Sequence, residues 1–149
     1  MLAGALGGGC CGALFDQFTA TISNEYFLDG KGLRAYSAPF RLAVAWTGFR
    51  GGLPLGALVV GIGLIRAPRE KAFSWRAWLA SIARDLPMCV ALCAGMMLLL
   101  DPFGLRQLCA GVLSSERASR YLICWGAHIG VYLGVAVGLL RDQSTSASA

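Results

Sequence analysis

YLICWGAHIGVYLGVAVGLL, residues 121–140, runs for twenty positions without a formal charge, and its reading decides the fold. An α-helix rises 1.5 Å per residue, so about 20 apolar residues cross the roughly 30 Å hydrocarbon core of a bilayer. Within the stretch Gly126, Gly130, Gly134 and Gly138 recur every fourth residue. Such a ladder of small residues lets a neighbouring helix approach closely. His128 and Tyr132 lie two positions off the ladder, rotated by about 200°, so they share the opposite face. This helix is therefore expected to be contacted on two sides.

Three further stretches have the length and composition of membrane spans. The first, Leu2 to Ile22, carries a second ladder, Gly4, Gly8 and Gly12, and on the same register Asp16, followed by Gln17. The second, Phe40 to Ile65, holds Arg50, Gly51, Gly52 and Pro54, a cluster expected to bend or break the helix. The third, Ala77 to Leu100, has Arg84 and Asp85 just before Pro87. The two ladders point to close packing of the first and last helices, against each other or against a partner chain.

Composition agrees. The chain is 56% hydrophobic and only 14% charged, with a mean hydropathy of +0.62, where soluble domains carry about 25% charge. The expected fold is all-α: an integral membrane bundle of four transmembrane helices, with a short interfacial helix after the first span. Residues 1–142 form one transmembrane domain, and 143–149, small and polar, a disordered tail. The net charge of +5 is spread over loops rather than stacked on one face, which argues for a bilayer border and against nucleic acid. Arg66, Arg69, Lys71 and Arg76 crowd the short second loop. By the positive-inside rule this places that loop, and with four spans both termini, in the cytoplasm of a multi-pass cell-membrane protein.

Six cysteines, Cys10, Cys11, Cys89, Cys93, Cys109 and Cys124, fall almost wholly within apolar stretches and form no C-x-x-C or Cys/His cluster. They read as small core residues, and no metal site is expected. Asp16 is costly near hydrocarbon, by about 2.5–3.5 kcal/mol on insertion scales, so it needs a partner. The candidate ionic partners are Arg50 and Arg84. Asp85 and Arg84 are adjacent, point about 100° apart, and are expected to answer groups elsewhere rather than each other.

The stretch from Asp16 through Gln17, Thr19, Ile22, Ser23, Glu25 and Tyr26 to Phe27 resembles the D-Q-x-T-x-x-I-S-x-E-Y-F motif of a family of small bacterial four-helix membrane proteins, which has no function to transfer. The match covers twelve residues, and His128 with Tyr132 before a glycine-rich run is similar to that family's last helix. Phe15 stands where the family usually has a histidine, which argues against a proton relay or metal at this position. Asn24 stands where proline is common. Read physically, Thr19 shares a face with Asp16, Ser23 caps a short following helix with Glu25 in its first turn, and Tyr26 and Phe27 suit an interfacial aromatic belt.

Asp16, Gln17, Thr19, Glu25, His128 and Tyr132 are thus the candidate polar cluster. No nucleophile, phosphate loop or metal spacing accompanies them, so an enzyme is not expected. The leading expectation is a structural or accessory subunit of a larger membrane complex, acting by helix packing, with the lipid bilayer and other subunits or further copies of itself as partners. The alternative is a small oligomeric transporter or channel using Asp16 and a broken second helix. No cofactor is expected; a haem or chlorophyll-type pigment would have His128 alone as its protein ligand.

Overall fold

A computed structural model describes residues 1–35, 37–67, 74–109 and 112–146, with residues 141–146 described by backbone alone. These residues are almost entirely helical, and no extended strand occurs among them. In order come α1 (Leu2–Ile22), a π-helical turn (Tyr26–Gly30), a 3₁₀ turn (Leu33–Ala35), α2 (Phe40–Arg66), α3 (Trp75–Leu100), α4 (Leu105–Cys109) and α5 (Ser115–Ser146). Three helices are long and apolar enough to cross a membrane: α2, α3 and the Ser115–Leu140 part of α5, with mean hydropathies of 1.6, 1.7 and 1.8. By the same measure α1 is not among them. Five of its residues are glycine, and Asp16 and Gln17 interrupt its apolar run.

The sequence reading treats residues 1–142 as one domain, whereas the contacts gather into two compact units, Met1–Lys71 and Ala72–Ala149. Each unit is built on a helical hairpin, α1 along α2 in the first and α3 along α5 in the second. In the first unit the seam is glycine on glycine. A Cβ added to Gly8 would lie 2.5 Å from the Gly52 carbonyl oxygen and 2.6 Å from the Gly56 Cα. Gly4 in turn meets Gly56 and Val60, and Gly12 meets Gly48. The helix backbones touch, with no room for side chains between them.

The ladder on α5 works differently, since its partner helix presents larger residues. A Cβ on Gly126 would collide with the backbone of Cys93 and Ala94, one on Gly130 would come within 2.5 Å of the Val90 Cα, and one on Gly138 within 2.7 Å of the Ile82 Cα. Gly134 sits equally close to Leu86. Contrary to expectation, then, the two ladders are not used by the first and last helices on each other. α2 occupies one and α3 the other, because each has a long apolar neighbour next in the same unit.

One other expectation, a break in α2, fails. The cluster around Pro54 does not break α2, which continues as α-helix from Phe40 to Arg66. Gly52 and Gly56 flank the proline and hold the backbone of α1 directly against that stretch, so packing keeps the helix in register where the proline alone would loosen it. The backbone of α5 is helical to Ser146, and residues 147–149 of the expected tail lie outside the described residues. Arg69 and Lys71 of the second loop also lie outside them.

The third loop is closed by one side chain. Asp101 ends α3 in the left-handed region (φ 41°, ψ 57°), which aspartate tolerates better than most residues. Its carboxylate accepts hydrogen bonds from the backbone N–H groups of Leu105 and Arg106, both at 2.8 Å, capping α4. Arg106 then donates to the Leu98 carbonyl at the end of α3, also at 2.8 Å. Leu105 packs in a small buried cluster with Met97 and Leu122, against which Trp125 and Ile129 lie.

The seam in the first unit gives a sharp contrast between neighbours. Gly52→Ala is expected to destabilise the protein by about 1–3 kcal/mol through overpacking. Gly51→Ala, where a Cβ meets nothing within 4 Å, is expected to stabilise α2 by about 0.5–1 kcal/mol, since alanine loses less backbone entropy. Thermal unfolding of the two variants in detergent reads the difference.

Candidate functional site at the end of the first helix

Asp16 lies one turn beyond the last ladder glycine of α1, and its Cβ rests against Gly48 of α2, 2.8 Å from where a Cβ on that glycine would stand. Because the seam is so narrow there, the carboxyl group is almost wholly removed from solvent, its side chain only 4% exposed. The partner is neither Arg50 nor Arg84. Lys31, from the segment that follows α1, places its Nζ 2.8 Å from Asp16 Oδ2. Arg50 is exposed, and Arg84 puts its Nε 3.4 Å from Oδ1 of the adjacent, buried Asp85. The side-chain torsions of those two thus close an angle that backbone geometry alone would hold open.

Lys31 reaches Asp16 because the chain folds back. Ile22 ends α1, and Ser23 adopts an extended conformation (φ −143°, ψ 111°) that turns the chain. Ser23 Oγ accepts from the Tyr26 N–H at 3.2 Å and donates to Glu25 Oε2 at 3.3 Å, so the serine starts the next helical turn as its motif implies. Thr19, buried on the Asp16 face, donates to the carbonyls of Phe15 (3.1 Å) and Asp16 (3.3 Å), satisfying its hydroxyl within the helix. Gln17 points the other way, donating to the Arg41 carbonyl at 2.6 Å, and Arg41 returns a bond to the Gln17 carbonyl at 3.1 Å. This reciprocal pair ties the end of α1 to the start of α2.

The aromatic pair does not form a surface belt. Phe27 is fully buried, Tyr26 nearly so, and their rings meet edge to face at 5.2 Å. The Lys31 ammonium stands over both, 4.8 Å from the Phe27 centroid and 5.4 Å from that of Tyr26. Carboxylate and rings together enclose the cation, an arrangement in which each contact strengthens as water leaves. Lys31 is the member of this cluster that the sequence reading missed. Its only signal was its position in Gly30-Lys31-Gly32, where the flanking glycines give the loop freedom to turn inward; Gly32 takes φ +69°.

A second pair braces the outside of this segment. Arg34 donates from both Nε and a terminal guanidinium nitrogen to the Asp29 carboxylate. These hydrogen bonds, more than the charge itself, hold the Asp29 carboxyl below its ordinary range against the opposing effect of burial, and they raise Arg34.

Of the remaining candidates, His128 and Tyr132 belong to the second unit. His128 is half-buried, and its Nδ1 lies 2.7 Å from the Cys124 carbonyl oxygen, which accepts only, so Nδ1 carries the proton. Tyr132 is 56% exposed. Cys124 is buried, but Cys10 and Cys11 are exposed, unlike core residues. Among the described residues no three His, Cys, Asp or Glu side chains converge as a metal site would require.

Comparison with known protein families, with curated proteins and with solved structures finds no match. The twelve-residue resemblance at the end of α1 therefore carries no family assignment, and the site stands on its own geometry.

Two outcomes test that geometry. Lys31→Met removes the ammonium beside a buried carboxylate and is expected to cost about 3 kcal/mol, whereas Asp16→Asn leaves an ammonium that reaches water and is expected to cost about 1 kcal/mol. Denaturation in detergent that ranked them in the opposite order would overturn the pairing. For Asp29, a lowered folded-state pKa means that the Arg34 pair contributes fully above the ordinary carboxylate range and is lost as pH falls through the lowered value. A carboxyl-carbon NMR titration should therefore show the Asp29 midpoint rising in Arg34→Gln.

Proposed function

We propose that this chain is a four-span integral membrane protein, α1 being the fourth spanning helix, that serves as a structural or accessory subunit of a larger membrane complex. The observation that carries this reading is where the special residues are spent. The glycine ladders are filled by α2 and α3, and Asp16 is paired within its own unit by Lys31. The long helices also present apolar surface outward: Phe18, Leu42, Trp46, Met88, Leu92 and Leu133 stand exposed along them. Large exposed apolar surface of this kind belongs against lipid or against other membrane helices.

In this reading the ladders act as glycine zippers that make each hairpin rigid, and α1 tolerates its low hydropathy because its glycine face is covered by α2. The turns after α1 lie along the membrane surface, and the basic loop between α2 and α3 keeps both termini in the cytoplasm. His128 is read as a structural residue held by its hydrogen bond to the Cys124 carbonyl, and neither haem nor pigment is assigned to it. Two observations favour this reading over the transporter alternative: Lys31 stands 2.8 Å from Asp16, and α2 runs as one helix from Phe40 to Arg66.

Extraction in a mild detergent, followed by native mass measurement and identification of what travels with the protein, is the test. Larger membrane subunits are expected to co-purify, with no visible absorbance from this chain. A stable lone species, or solute flux through the purified protein in proteoliposomes, would refute the assignment.

A further inference from the structure

Lys31 occupies a site that is more elaborate than an ion pair needs. Its floor is the Asp16 carboxylate, 3% exposed and 2.8 Å from the ammonium. Its walls are the rings of Phe27 and Tyr26, set edge to face at 5.2 Å, with both centroids within cation–π range of the nitrogen. Its mouth is open, since the Lys31 side chain keeps 24% of its surface accessible. The lysine is carried on a backbone of unusual freedom, between Gly30 and a Gly32 that sits in the left-handed region with no atoms near its Cβ direction. A carboxylate with two aromatic faces is the chemistry that recognises alkylammonium ions.

We propose that Asp16, Tyr26 and Phe27 form an ammonium-binding cage of which Lys31 is the built-in occupant, and that the glycine-flanked lysine is a latch that can give way to a primary ammonium from outside the chain. That ammonium is carried by a free alkylamine or by the ethanolamine headgroup of a lipid. When the latch is in, the segment after α1 is held down on the hairpin. When an external ammonium takes its place, the charge and ring contacts are kept, while residues 30–32 are released.

The test is rescue of Lys31→Ala by the fragment that the substitution removes. Full-length protein in phosphatidylcholine-doped detergent micelles is heated with n-propylammonium chloride, with sodium chloride at equal ionic strength, with 1-propanol, or with phosphatidylethanolamine replacing the phosphatidylcholine. A saturable rise of several degrees in the unfolding temperature of the variant is expected with n-propylammonium or with phosphatidylethanolamine, and which of them acts identifies the source. The wild-type protein, in which the ammonium must first displace Lys31, is expected to respond only at higher concentrations than the variant, and adding Tyr26→Leu to the variant is expected to shrink the response. Should Lys31→Ala not fold alone, its recovery in folded form when extracted with n-propylammonium is the same readout. Failure of both ammonium sources, or a response matched by sodium chloride or 1-propanol, would overturn the cage.

Discussion

Helix backbones in direct contact are the constraint on which everything else in the first unit rests. Gly4, Gly8 and Gly12 of α1 meet Gly56, Gly52 and Gly48 of α2, so close that a Cβ at any of them would collide with the facing helix. Apolar helices in lipid gain little from burying side chains against each other, because hydrocarbon surrounds them in either case. Close backbone approach supplies dispersion and weak Cα–H contacts without ordering any side chain. It also leaves no space for water. Asp16 lies at the end of this seam, with its Cβ against Gly48, and the narrow seam is one reason its environment is dry.

The polar junction follows from that dryness. A carboxylate excluded from water by its own helix pair must be answered locally, and the chain does so by turning at Ser23 and bringing Lys31 back over it. The rings of Tyr26 and Phe27 then cover the pair. In the second unit the same small-residue device meets a different partner. Cys89, Val90, Cys93 and Ala94 present moderate side chains, so α5 alone supplies the clearance. Its polar work is done at the other end, by Asp101, which closes α3 and opens α4 with a single carboxylate.

Much of this was legible in the sequence. The bounds of α1 and the start of α2 coincide with the apolar stretches, and both ladders are real contact surfaces. What could not be read was which helix each ladder meets, since a glycine face specifies closeness and not identity. The signal was partly there: Gly48, Gly52 and Gly56 repeat at the same four-residue interval on α2, but Arg50 and Pro54 between them read more loudly as a break. Lys31 was harder. It is fifteen positions from Asp16 in an irregular segment, and the turns that deliver it depend on Ser23, Gly30 and Gly32 acting together. Periodicity finds faces of regular elements and is silent about what a loop brings back to them.

The repeating seam has one further consequence. A ladder with identical rungs is like a rack without an end stop: sliding α1 by one rung, four residues or about 6 Å, would again set glycine against glycine for two of the three pairs. Packing alone therefore leaves the hairpin with a near-degenerate second register. The stops are polar and lie at one end, where Gln17 and Arg41 exchange hydrogen bonds and Lys31 seizes Asp16. The glycines set how far apart the helices are, and four side chains at the turn decide where along each other they come to rest.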